Sequence, residues 1–205
     1  MSRDYAKVAS PASIQKAVDA LQANGFQAES VKTLEDAKQR VLSLIPEGAE
    51  VFTGTSVTLT TAGLDAELNE SGKYVSVRHK FMPLYGQKDK AVEMRRIGSG
   101  SEYTVGSVHA ITEDGQVLVA SASGSQLPNY VYGADHVIWV VGAQKVVKDL
   151  NEAMDRLETY TFPLENERAR EAYGADSIIS KLLIYKKERN PERVHIVIFN
   201  EAVGF

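Results

Sequence analysis

Apolar residues recur along this chain at two spacings, and the switches between them predict the order of its elements. Ile14, Ala17, Val18 and Leu21 stand three and four apart behind Ser10-Pro11, the pattern of a capped helix that stops at Asn24-Gly25. Residues 26–31, FQAESV, suit a short strand, and Thr33 then caps a second helix carrying Leu34, Ala37, Val41 and Leu44 before Pro46 ends it. EVFTG (50–54) predicts a strand closed by glycine, with TSVTLTTAGL as the capped helix behind it; YVSV (74–77) predicts a further strand and DKAVEMRRI (89–97) a helix. The unbroken run VIWVV (137–141) is the mark of a central strand covered on both faces, and Val147, Leu150, Met154 and Leu157 predict an amphipathic helix directly after it. RVHIVIF (193–199) supplies a last strand.

Strands and helices alternating in this order imply an α/β fold with a mostly parallel, Rossmann-like sheet flanked by helices. The stretch 109–120 enters as an inserted or edge hairpin. Its Asp114-Gly115 reads as a two-residue type I′ turn that sets Thr112 across from Val117 and Ile111 across from Leu118.

Composition narrows the function classes. With 205 residues, 43% of them hydrophobic, the chain has material for one substantial core. A net charge of −4 gives no electrostatic reason to bind nucleic acid or an anionic membrane. The N-terminal stretch lacks the apolar core of a secretory signal and no run approaches the ~20 apolar residues of a membrane span, so a cytoplasmic location is expected. Cysteine is absent, which removes thiolate metal sites, iron–sulfur ligation and a cysteine nucleophile together. The four histidines, at 79, 109, 136 and 195, share no ligand spacing, so no metal site is expected.

Ligands of open α/β sheets bind beyond the carboxyl ends of the strands, and the residues that follow each strand are therefore the site candidates. Gly54, Thr55 and Ser56 follow the strand at 50–53 and offer amides and hydroxyls to an anion, or serve as a plain turn and helix cap. Ser121 to Gln126, with Gly124-Ser125, leave the hairpin; Gly142 and Lys145 leave the central strand; Asn200-Glu201 leave the last one. Lys145 is either an anion clamp or a solvated lysine, and His109 is the histidine retained as a ligand-binding candidate. Glu113 and Asp114 are candidates for acid–base work, against the competing reading that they form the hairpin turn. The basic segment holding Arg78, Lys80, Lys88, Lys90, Arg95 and Arg96 also contains Asp89 and Glu93 and reads as a solvated face. Tyr130 and Tyr132 read equally as pocket or core.

Taken together, GTSVTLTTAGL (54–64), VGSVHAITEDG (105–115), ASGSQLPNY (122–130), VIWVVGAQKVVKDLNEAMDRL (137–157), PLE (163–165) and NEAVGF (200–205) resemble the lactate-utilisation, or LUD, domain from about residue 50 onward. The resemblance implies a fold related to ribose-phosphate isomerase, glucosamine-phosphate deaminase and CoA transferases. It also implies a bacterial role in oxidising L-lactate to pyruvate beside iron–sulfur subunits. The positions that match its motifs are Gly54, Thr55, Ser56, Asp114, Gly115, Gly124, Ser125, Gly142, Lys145 and Glu201. Three departures stand out: the cysteine cluster of many relatives is replaced by GADSIISKLLIYKKERNPER, Gln144 precedes the motif lysine where asparagine is frequent, and His109 also stands where asparagine is frequent.

On this reading residues 1–48 are an N-terminal helical segment packed on a LUD-like domain of 49–205, the two forming one unit that is free to self-associate. The expected role is a non-redox component that binds a small carboxylate or phosphorylated metabolite, holds no cofactor itself and works with iron–sulfur partner subunits of a lactate-oxidising complex. Two other readings stay open: a stand-alone isomerase or transferase acting on a sugar phosphate or acyl-CoA, with Glu113 or Asp114 as base and Lys145 as clamp, and a metabolite-binding regulatory module.

Overall fold

A computed structural model describes residues 3–205. The capping signals act where the sequence places them. The Ser10 hydroxyl accepts the Ser13 N–H at 3.1 Å and opens α1 (Pro11–Ala23), which buries Ile14, Ala17, Val18 and Leu21. After β1 (Gln27–Val31), Thr33 and Asp36 cap each other's amides at the head of α2 (Leu34–Leu44). β2 (Glu50–Thr53), α3 (Val57–Thr61), α4 (Leu64–Glu70), β3 (Val75–Ser76), α5 (Val77–Phe81), α6 (Ala91–Gly98) and β4 (Ser101–Gly106) follow. Next come β5 (Ala110–Thr112), β6 (Val117–Ser121), β7 (Ala134–Gly142), β8 (Val146–Val147), α7 (Leu150–Arg156), α8 (Phe162–Tyr173), β9 (Lys181–Tyr185) and β10 (Val194–Phe199).

Six strands form a parallel sheet in the order β1-β10-β7-β4-β2-β3. Residues 1–48 therefore supply an edge strand as well as two helices. The run in β7 divides with the two-residue period of a strand. Val137, Trp139 and Val141 join Ile14, Leu21 and Ile196 in one core, while Ile138 and Val140 join Val41, Leu59, Leu64 and Phe199 in the core on the opposite face. Each fully buried side chain of this size contributes about 1.5–3 kcal/mol, so β7 anchors both layers.

A second sheet, β8-β5-β6-β9, departs from the expectation of one sheet with an inserted hairpin. Ile111, Val117 and Val119 face the main sheet's core, and Ala110, Leu118, Ala120 and Val147 pack on α7, so the hairpin is a layer in its own right. Its register also differs by one residue: Ile111 pairs with Val117 and Ala110 with Leu118. The turn holds three residues, not two. Gly115 donates to Thr112 O at 2.9 Å and adopts φ +78° in the left-handed region, the arrangement of a type I turn closed by a bulged glycine. A Cβ on Gly115 would lie 2.6 Å from the backbone of Ala20 in α1, so packing on α1 leaves room for glycine alone.

Two further corrections concern the chain after β7. Val147 belongs to the short strand β8, and α7 begins at Leu150 behind the Asp149 cap rather than directly after the central strand. The stretch 174–193, read from sequence as departing from its relatives, carries β9 as the outer strand of the second sheet.

Candidate functional site

The carboxyl ends of three neighbouring parallel strands, β2, β4 and β7, open into a cleft of about 750 Å³. β2 delivers Gly54–Thr58, β4 delivers Ser107–His109, and β7 delivers Lys145. The exit of β6, with Ala120 to Ser123, Ser125 and Gln126, forms a second wall; Leu157, Thr161, Phe162 and the Glu165–Arg168 ion pair, closed at 2.7 Å, form a third. Phe81, Met82 and Tyr85 stand at the mouth beside Arg78.

Lys145 closes a tight 3-10 turn between β7 and β8, so its stem is fixed by both sheets. A Cβ on Gly142 would fall 2.2 Å from Gln144 Oε1 and 3.0 Å from Glu201 O, so a larger residue there would displace the buried Gln144 side chain. Lys145 is 2% exposed, and its Nζ lies 3.2 Å from both Thr58 Oγ1 and Ser107 Oγ. Burial, followed by the charge of Arg156, brings its ammonium down to about 7.

Arg156 is fully buried behind the same end of the cleft. A π-helical turn (Leu157–Thr161) brings Thr161 round so that Nη1 donates to Thr161 Oγ1 at 2.7 Å and to His109 O at 2.6 Å. Among the described residues its Nε and Nη2 have no hydrogen-bond partner, and the side chain stacks over Tyr160 at 5.2 Å. Desolvation lowers its guanidinium to about 10, so it stays charged at neutral pH. Among the described residues no carboxylate forms an ion pair with Lys145 or Arg156.

His109 Nδ1 accepts the Ala120 N–H at 3.1 Å, which leaves the ring hydrogen on Nε2. Burial, with Lys145 and then Arg156 adding repulsion, pushes its pKa down to about 3 and keeps the imidazole neutral. The cleft therefore combines buried positive charge with uncharged donors, a chemistry suited to a small anion.

Of the residues singled out from sequence, Gly54, Thr55, Ser56, His109, Ser125, Gln126 and Lys145 line this cleft. Within that group, the Gly54 amide is already bound to Val105 O at 3.2 Å, and the Ser56 hydroxyl caps α3 through Leu59 N–H at 3.4 Å. Gly124 and Gly142 shape the backbone nearby without lining the cleft. Glu201 lies elsewhere: its Oε1 accepts the Leu34 N–H at 3.1 Å at the head of α2. Glu113 and Asp114 sit in the hairpin turn against α1. Glu113 pairs with Lys16 at 2.8 Å, and Asp114 binds Thr112 and Gln116. Neither approaches Lys145 as a base partner would. Tyr130 is buried with its hydroxyl packed against Gly106, whereas Tyr132 is 90% exposed. Arg78 lies at the cleft mouth rather than on a purely solvated face.

Thr58, Ser107, Arg156 and Thr161 were not singled out from the sequence. Thr58, Ser107 and Arg156 do stand inside the quoted motifs, the first two as hydroxyls among several. Arg156 carries no local signal, because on the helical pattern it reads as a polar-face residue.

A family model described as the LUD domain matches residues 14–199, so the match reaches well upstream of residue 50 and takes in α1 and β1. Among solved structures, a DUF162-family protein from Deinococcus radiodurans superposes with a TM-score of 0.55 at 10% identity, covering 97% of this chain and 99% of that one. At that identity the likeness concerns the fold. No curated protein matches the chain significantly.

Proposed function

Since this chain belongs to the LUD-domain family, whose model it matches over residues 14–199, we propose that its cleft binds a small carboxylate in bacterial L-lactate utilisation. The chain acts there as a non-redox component beside iron–sulfur partner subunits. One observation carries the reading: Lys145 is buried in the wall of the cleft with Arg156 buried behind it, and among the described residues neither forms an ion pair with a carboxylate. Uncompensated buried charge is costly, and an anionic ligand removes that cost. The absence of cysteine from these 205 residues supports assigning electron transfer to partner subunits.

The test is a calorimetric titration of L-lactate, pyruvate and inorganic phosphate at pH 6.5 into the wild-type chain and Lys145→Met. Loss of a charged hydrogen bond predicts weakening of carboxylate binding by roughly tenfold or more in the variant. Equal affinities in the two proteins, or no carboxylate binding at all, would overturn the reading. Normal lactate-dependent growth after deletion of the gene would remove the lactate role.

A second reading rests on the size of the cleft. Its volume of about 750 Å³ and its apolar wall of Phe52, Phe81, Met82 and Phe162 leave room beyond a three-carbon acid. That space favours a larger anionic substrate, as for an isomerase or transferase acting on a sugar phosphate or acyl-CoA. Tight phosphate binding with no carboxylate binding would select it.

A further inference from the structure

We propose that Lys145 is a nucleophile whose Nζ condenses with the carbonyl group of an oxo acid held in the cleft, forming a reversible imine. The inference rests on the carboxylate reading above and narrows it to a substrate class.

The first support is the state of the amine. Lys145 lines the cleft yet is 2% exposed, and among the described residues no acid stands by to hold its proton. The charge of Arg156 opposes protonation further. A lysine desolvated beside a second cation keeps a free amine fraction near neutrality, which is the condition for attack on a carbonyl carbon.

The second support is the hydrogen-bond geometry at Nζ. The Thr58 hydroxyl directs its hydrogen toward Val203 O at 3.4 Å, so Thr58 Oγ1 accepts from the lysine at 3.2 Å. Lys145 is the one partner of the Ser107 hydroxyl among the described residues, also at 3.2 Å. Ser107 is thus free to receive a proton from Nζ and return one. His109, neutral and with its hydrogen on Nε2, adds an uncharged donor to the same wall.

The third support is the charge that remains. Arg156, buried behind the cleft wall, stays protonated and among the described residues makes no ion pair, so its field on the cleft favours a carbonyl compound that also carries an anion. A hydroxy acid offers the anion without the electrophile, and a simple ketone offers the electrophile without the anion. An oxo acid offers both.

The step balances without an oxidant. The Nζ lone pair forms a bond to the carbonyl carbon, and Ser107 relays a proton from nitrogen to the carbonyl oxygen to give a carbinolamine. The C–O bond then breaks as the oxygen takes the remaining proton of the nitrogen, again relayed by Ser107, and leaves as water while the nitrogen lone pair completes the C=N bond. Amine and ketone become imine and water, and no electrons leave the pair.

The experiment incubates the full chain with pyruvate and sodium cyanoborohydride, which reduces the imine to a stable secondary amine, followed by intact-mass and peptide analysis. One adduct on the peptide that carries Lys145 is expected, formed faster as pH rises through 7. L-Lactate in place of pyruvate should give none, acetone should label at least tenfold more slowly, and Lys145→Met, checked for folding by circular dichroism, should give none. Absence of an adduct on the wild-type chain, or labelling spread over surface lysines at the level seen in Lys145→Met, would overturn the proposal. Equal labelling by acetone would overturn the choice of an oxo acid. If lactate and pyruvate both bind in the titration but no adduct forms, the imine falls and the carboxylate reading stands; if neither binds and none forms, both fall.

Discussion

Lys145→Met should make stability less dependent on pH, in a direction fixed by the burial of the lysine. An unfolded lysine titrates at about 10.4, while in the fold desolvation and then Arg156 bring Lys145 to about 7. Between these values the unfolded chain holds a proton that the folded chain has released. Stability therefore rises with pH across the window from about 7 to about 10, at roughly 1.4 kcal/mol per pH unit, and the full cost of the charged form below it is on the order of 5 kcal/mol. Methionine nearly matches the lysine stem in volume and carries no charge, so the variant lacks this term. Between pH 6 and pH 9 its stability advantage over wild type should shrink by about 2–3 kcal/mol. Any fixed difference in packing, and every other titrating group, cancels in that change. Urea unfolding of both proteins at pH 6, 7.5 and 9 measures it. A gap that stays constant across the three pH values would refute the reasoning, because it would mean that Lys145 keeps its proton in the fold.

Two further outcomes separate the cleft from the hairpin turn. Binding of L-lactate at pH 8 should draw a proton onto Lys145, since an adjacent anion raises a pKa that stands at about 7 in the free chain; calorimetry in buffers of different ionisation heat reads the uptake, which should fade by pH 6. A binding heat independent of buffer would count against contact between the anion and Lys145. The double variant Glu113→Gln, Asp114→Asn should bind carboxylates with unchanged affinity, because both acids are engaged at the turn with Lys16, Thr112 and Gln116; a tenfold loss would place the turn in the site.

Much of the fold was legible because its signals are local. Ser10, Thr33 and Ser56 each cap the helix that follows them, and the run at 137–141 needs only its period to declare a strand buried on both faces. What stayed hidden depends on contacts distant in sequence. Nothing in Asp114-Gly115 distinguishes a two-residue turn from a three-residue one; the approach of Gly115 to Ala20 does. β9 alternates weakly because it is an outer strand with Leu182 and Ile184 partly in solvent, and β8 is two residues long. The site divides the same way. Lys145, His109 and Gly54–Ser56 gather because residues after parallel strands share one edge, and Gln126 joins them from the exit of β6 in the second sheet. Glu201 follows a strand too, yet the free amide of Leu34 takes its carboxylate to the head of α2.

Arg156 was the least legible residue and bears most on the chemistry. Its burial arises at the last residue of α7, where the helix packs on the second sheet, the side chain reaches His109 O and the π-helical turn returns Thr161 to it. A fold selected for stability alone gains nothing by leaving Nε and Nη2 unsatisfied there, because each unmet buried polar group costs about 1–3 kcal/mol and a charged one costs more. The same holds for Lys145, whose neighbours are hydroxyls rather than acids. Two such sites within reach of each other lower the stability of a domain whose total margin is only about 5–15 kcal/mol. Among the described residues Gln116, Asn129, Trp139 and Gln144 also leave a buried polar atom without a partner, but Arg156 is the charged member of that group, and a charge left so beside a buried lysine is the kind of broken local rule expected of a functional site. An anion in the cleft would pair with Lys145 directly and meet Arg156 through its field, so the same arrangement that weakens the empty fold favours negative charge there.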